Sequence, residues 1–212
     1  MAAESTLEDK LRAWLSARSI VRGLPAPVAD HGGYRVDTDS DTEARRWVFS
    51  RPTAGLAALG VTIQQPRHFL KLCGSADDLR GILPDRWKIQ PPGYFMQAGE
   101  PAAERPVPEG YTVTIDRIGD IARVRILSAD DHLAASGHAV QTRDAFLYDR
   151  IVTTPEHRRK GLGFAVMTAL RRARHLPETP ELLVATADGR ALYASMGWRI
   201  LSPYSTAVLP DA

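Results

Sequence analysis

The chain has 212 residues, 44% of them hydrophobic, with 27 basic side chains set against 25 acidic ones for a formal charge of +2. That supplies a core for one large domain or two small ones, and the near-balanced charge excludes a broad field for nucleic acid or an anionic membrane, so any anion must be bound locally. No apolar run approaches the roughly 20 residues of a membrane helix, no export signal opens the sequence, and the single cysteine, Cys73, has no internal disulfide partner, which together lead to the expectation of a reducing cytoplasm.

In chain order, residues 7–20 place Leu7, Leu11, Trp14 and Leu15 on one face of a predicted helix, with Ser5 and Glu8 as its capping box. A Gly/Pro-rich loop follows, then strand-like runs at 34–37 and 46–50 around an acidic turn, predicted to pair as a hairpin. A short helix is predicted at 54–59, a strand at 67–73, and a helix at 77–83 stopped by Pro84. Residues 97–110 read QAGEPAAERPVPEG, whose prolines permit neither a helix nor a central strand, and the domain boundary is placed there.

Beyond that linker, runs at 111–115, 121–127, 133–141 and 145–152 predict an antiparallel meander. A helix begins near Leu162, with Val166, Met167, Leu170 and Ala173 at helical spacing. A strand at 182–186, a short helix at 190–196 stopped by Gly197, and a closing pair of strands at 198–201 and 206–209 complete the chain. The fold class expected is therefore α/β with a mixed sheet, divided into a mixed α/β region at residues 1–105 and a second domain at residues 106–212.

The turn TTPEHRRKGLGFAV is the informative segment, because it joins a strand to a helix start with Arg158, Gly161 and Gly163 at fixed spacing. A helix start presents backbone N–H groups without internal partners together with partial positive charge, and both favour phosphate oxygens. The two glycines admit close approach, and Arg158, Arg159 and Lys160 add charge, so the segment points to a multiply phosphorylated ligand. A solvated basic helix start is the plainer alternative for such a turn taken alone.

This spacing resembles the pyrophosphate-binding motif of the GNAT superfamily of N-acetyltransferases, on Arg158, Gly161 and Gly163. The later DGRALYASMGW resembles the second signature of that superfamily, on Ala191, Leu192, Tyr193, Gly197 and Trp198. The resemblance spans about residues 111–209 and implies a GNAT-like sheet splayed between its fourth and fifth strands, with the pantetheine arm of acetyl-CoA in the gap. It implies acetyl-CoA as cosubstrate, without a metal, contacting Ile151, Val152, Thr153, Arg158, Arg159, Lys160, Gly161, Leu162, Gly163 and Phe164, and direct attack by a primary amine in a ternary complex. Two departures stand out: only a short turn separates residues 115 and 121 where relatives carry two helices, so either the first strand of the GNAT-like acetyl-CoA-binding domain, residues 106–212, lies upstream or residues 1–105 supply the missing cover of the acceptor site, and Asp188 stands where many relatives have asparagine.

Tyr193 matches the tyrosine that the resemblance makes a general acid or hydrogen-bond donor to the departing thiolate, with helix packing as the alternative. For the base, Asp149 lies on the strand entering the turn, and His138 on the preceding strand has the better intrinsic pKa; an exposed Asp149 or one paired to Arg150 or Arg143, and a structural histidine, are the alternatives. Trp47, Trp87, Tyr94 and Phe95 line an acceptor pocket or pack the core. The partners expected are acetyl-CoA and an amine, with neither nucleic acid nor membrane; oligomeric state and the amine's identity stay open. The competing reading is an acetyl-CoA-binding regulatory or partner-binding module that lacks efficient transfer.

Overall fold

The computed structural model describes residues 5–100 and 102–210. Helix α1 (Leu7–Arg22) opens on Thr6, whose hydroxyl accepts the Asp9 N–H at 3.2 Å while the Asp9 carboxylate accepts the Thr6 N–H at 3.1 Å. The capping box is thus Thr6 with Asp9, one residue later than Ser5 with Glu8, because the helix starts at Leu7 and the box spans three residues from its cap.

Strands β1 (Val28–Asp30), β2 (Gly33–Asp37) and β3 (Arg45–Phe49) are antiparallel, and the predicted hairpin is β2 with β3. Helix α2 (Ala54–Thr62), capped by the Thr53 hydroxyl, crosses over to β4 (His68–Cys73), parallel to β3. Helix α3 (Ala76–Ile82) and strands β5 (Lys88–Ile89) and β6 (Gly93–Ala98) follow. The predicted meander is β7 (Tyr111–Ile118), β8 (Ile121–Ser128), β9 (Leu133–Gln141) and β10 (Phe146–Thr153). Helix α4 (Leu162–Arg171), strand β11 (Glu181–Thr186), helix α5 (Ala187–Ser195) and strand β12 (Trp198–Val208) complete the order.

The predicted closing pair of strands is instead the single strand β12. Ser202-Pro203 resembles a turn in sequence, but the strand only bulges between Ile200 and Ser202. Proline is tolerated there because the Pro203 carbonyl faces the side where β4 has ended, accepting the Gly74 N–H at 3.0 Å, so the missing N–H breaks no ladder bond.

All strands join one sheet, in the order β1-β2-β3-β4-β12-β6-β11-β10-β9-β8-β7, with β5 on β12. The 105/106 boundary falls in the exposed connection between β6 and β7, yet β6 from before it lies between β11 and β12 from after it. Three cores hold the layers. Val166 and Leu170 of α4 pack with Ala135, Phe146 and Tyr148; Leu11, Trp14 and Leu15 of α1 pack on the opposite face with Val140, Leu147 and Phe95; Leu56 and Leu79 pack with Phe49, Leu70 and Trp87. Burial of each large α1 side chain contributes about 1.5–3 kcal/mol. The short turn between β7 and β8 leaves that face of the sheet to α1, which covers β9, β10 and β11.

Candidate active site

Strands β10 and β11 run parallel but pair only at Phe146 with Glu181 and Leu147 with Leu182, after which they diverge. On its other edge β10 carries a bulge: Asp149 faces His138 and Val152 faces Ser136, so Arg150 and Ile151 together oppose Gly137. Arg150 adopts φ 53°, the left-handed region that such bulges use, and the strand kinks away from β11. After Leu147 no residue of β10 has a register partner on β11. The gap is a cleft of about 1070 Å³ lined by the second half of β10, the turn after it, the start of α4, the end of β11 and the face of α5 that carries Tyr193.

After β10 the chain makes a short 3-10 turn at Pro155–His157 and reaches Gly161, which caps α4 at φ 79° and ψ 4° without a side-chain hydrogen bond. Glycine is required by that positive φ, and no side chain occupies the N–H groups of Leu162, Gly163 and Phe164. Arg158 and Arg159 line the cleft beside them and have no carboxylate within 4.0 Å among the described residues. Of the ten residues expected to meet the cosubstrate, all line the cleft but Lys160, whose ammonium sits 5.9 Å above the Tyr111 ring. A Cβ on Gly163 would stand 2.8 Å from Leu192 Cδ2, so this glycine lets α5 approach α4 and brings the Leu192-Tyr193 pair to the cleft.

Tyr193 is 7% exposed, lines the cleft and tilts against Trp198 with ring centroids 5.9 Å apart. Burial, assisted by the negative charge of Asp149, pushes its hydroxyl pKa up to about 12. It is held as an O–H donor.

In three dimensions the chain is similar to a GCN5-related N-acetyltransferase from Kribbella flavida, over 97% of this chain and 96% of that one, with a TM-score of 0.64 at 15% identity. A GCN5-related N-acetyltransferase from Sphaerobacter thermophilus matches over 85% and 78% of the two chains with a TM-score of 0.59 at 10% identity. A GCN5-related N-acetyltransferase-like protein from Streptococcus suis matches over 95% and 98% with a TM-score of 0.59 at 11% identity. The chain has the GNAT fold. No family model and no curated protein matches its sequence.

Within this GNAT fold the two base candidates are placed differently. Asp149 reaches the cleft, but Arg22 Nε and Nη2 of α1 donate to its two oxygens at 2.7 and 2.8 Å, so the arginine partner comes from α1 and not from Arg143 or Arg150. Each oxygen thus accepts one guanidinium N–H. His138 stands beside Asp149 across the β9–β10 ladder but does not line the cleft. Burial first, then Arg123 and Arg150, lower its pKa, and its buried Nδ1 has no hydrogen-bond partner among the described residues.

The other end of the cleft is built by residues that the sequence reading did not single out: Trp14, Arg18 and Arg22 of α1, Lys71 of β4, Pro91 to Gly93 entering β6, and Tyr204 and Thr206 of β12. Arg18 and Arg22 are four residues apart on α1, but Arg22 lies beyond the predicted helix at 7–20, so only Arg18, four residues after Trp14, gave a signal in the sequence. The four aromatics weighed as pocket residues pack elsewhere. Trp47 stacks on His68, Trp87 donates to the Gly60 carbonyl at 2.8 Å, Phe95 is fully buried and Tyr94 lies under Arg190. Asp188 is exposed at the cleft mouth.

Proposed function

We propose that the protein is an acetyl-CoA-dependent N-acetyltransferase that acts on a primary amine by direct attack in a ternary complex. The observation that carries this reading is the divergence of β10 from β11 directly above a glycine-capped helix start. There, the part of β10 beyond its last β11 partner, free helix N–H groups and two arginines with no carboxylate within 4.0 Å among the described residues line one cleft.

The residues fit the cosubstrate by chemistry. The N–H groups of Leu162, Gly163 and Phe164, with Arg158 and Arg159, would hold a diphosphate. The edge of β10 beyond Leu147, its last residue in register with β11, would supply donors and acceptors for the amide groups of a pantetheine arm. Bound acetyl-CoA supplies an activated acyl thioester.

Tyr193 lines the same cleft and contributes a hydrogen bond to the departing sulfur rather than a whole proton. With its pKa about 12 and a thiol near 8.5, full transfer would cost about 5 kcal/mol at 1.36 kcal/mol per unit. A hydrogen bond to developing charge carries no such cost. The Arg22–Asp149 pair positions β10 against α1, and the amine proton leaves through water in the open cleft. Below roughly one alkylamine in a thousand is the free base at pH 7, so transfer should accelerate as pH rises through the neutral range.

The test is free-thiol release from acetyl-CoA across a panel of primary amines, with product mass confirming an amide. Binding of acetyl-CoA without amine-dependent release would defeat the transfer reading and leave a binding module.

A further inference from the structure

The end of the cleft formed by α1, β4 and β12 concentrates positive charge that the protein itself does not neutralise. Arg18, Arg22 and Lys71 line it, and Arg46 lies on β3, the strand beside β4. Arg22 is held by Asp149 through two hydrogen bonds, and Arg46, buried on β3, is held by Glu43, which accepts from its Nη2 at 2.9 Å. Those two pairs consume the nearby carboxylates. Arg18 and Lys71 line the cleft with no carboxylate within 4.0 Å among the described residues.

Neither side chain stands free in water. Arg18 is half-buried with its guanidinium 5.6 Å from the Trp14 ring centroid, and Lys71 is half-buried in mid-sheet, opposite Thr206 on one side and Val48 on the other. Uncompensated cations in such a place are costly, and a fold without use for them would carry neutral residues there. Burial lowers the pKa of both groups, that of Lys71 to about 8, which still leaves it cationic at neutral pH. The Tyr204 and Thr206 hydroxyls line the same end and add hydrogen-bonding capacity.

We propose that the acceptor is a small amine carrying an oxyanion, a carboxylate or a phosphoryl group, which Arg18 and Lys71 bind while the amine points toward Tyr193. This rests on the transfer reading above and names its substrate class. The guanidinium offers two parallel N–H groups to the oxyanion and the ammonium supplies a compact second charge. Arg18 precedes Arg22 by one helical turn, about 6 Å along α1, so the oxyanion lies about that far from the Arg22–Asp149 pair and the amine extends past that pair to the thioester.

The experiment compares ω-amino carboxylates from glycine to 6-aminohexanoate, and ω-aminoalkyl phosphonates of the same lengths, with the matching neutral ω-amino amides. Thiol release from acetyl-CoA measures transfer. Thermal midpoints with each N-acetylated compound and its neutral counterpart measure binding without transfer. At least one anionic series should exceed its neutral match by tenfold or more in kcat/KM, mostly through KM, and should raise the midpoint where the amide does not; which series does so distinguishes carboxylate from phosphoryl. Arg18→Met and Lys71→Met should erase both differences while CoA affinity is kept, and Lys71→Arg should restore most of them. Equal use of anionic and neutral amines, or a preference that survives both Met variants, overturns the oxyanion site and leaves transfer standing. An anion-specific midpoint shift that depends on Arg18 and Lys71, without thiol release, supports the site and overturns transfer. Neither a shift nor a preference in any series overturns the site.

Discussion

Gly161 allows the cost of a backbone conformation to be separated from the cost to a ligand. At φ 79° any L-residue is strained, and left-handed geometry costs about 1–2 kcal/mol. A Cβ there would meet nothing nearer than Pro108 Cγ at 3.9 Å, so packing adds no penalty. Gly161→Ala should therefore lower Tm by about 2–8 °C for a chain of this size and leave CoA binding within a few-fold. Gly161→Glu carries the same strain and adds a negative charge where the diphosphate would sit. For two phosphate charges about 5 Å away the repulsion is about 2–7 kcal/mol between effective dielectrics of 80 and 20, a loss of at least about fifteenfold in affinity by the same arithmetic. Isothermal titration of CoA into both folded variants, with Tm measured alongside, decides the matter. Equal CoA affinity for the Glu and Ala variants would refute a phosphate site at the start of α4.

Tyr193→Phe should lower kcat by roughly tenfold to a thousandfold with acetyl-CoA affinity little changed; single-turnover kinetics with the true acceptor check this, and wild-type chemistry would exclude the donor role. Arg22→Leu leaves the half-buried Asp149 carboxylate without its partner and should cost about 1–3 kcal/mol, read by urea denaturation at neutral pH. For Lys71 the sign follows from a folded pKa of about 8 against 10.5 in the unfolded chain. Between those values the unfolded state binds more protons, so this lysine makes stability rise with pH from about 8 to 10.5. The groups facing it are Arg18 and Arg22 from α1, which disfavour its charge, and Glu43 before β3, which favours it; Tyr204 on β12 and Cys73 on β4, both pushed up by burial, stay neutral in that window. Lys71→Met should flatten the rise and stabilise the protein at pH 7 by up to about 3 kcal/mol, and a destabilised variant with an unchanged pH profile would contradict this assignment.

The features legible in the sequence were those set by local chemistry. The meander, the amphipathic α4 with its apolar face on Val166 and Leu170, and the glycine that caps its start all follow from short-range pattern. Strand β6 was hidden because its six residues, GYFMQA, follow directly on Pro91-Pro92 and run into the proline-rich segment 97–110, which was read as admitting no central strand, while its two ladder partners lie far along the chain. Pro203 concealed the continuity of β12 for the opposite reason: its effect on the ladder depends on where β4 ends, which no local window contains. The same holds for the site. The turn from Arg158 to Phe164 is contiguous and was readable, whereas Arg18, Lys71 and Thr206 meet only after α1 is laid across the sheet and β12 is inserted beside β4.

The position of β6 between β11 and β12 bears on how the polypeptide is made. As the chain leaves the ribosome, β6 emerges well before both strands that flank it, and β4 likewise waits for β12 on its open edge. Through that interval the nascent chain presents the unpaired edge of a strand containing Phe95 and Met96, a surface on which holdase chaperones and self-association compete. Closure of the sheet is thus deferred until β12 is available, and slow translation after residue 100, or loss of that last strand, should reduce soluble yield more than the small number of residues involved would imply.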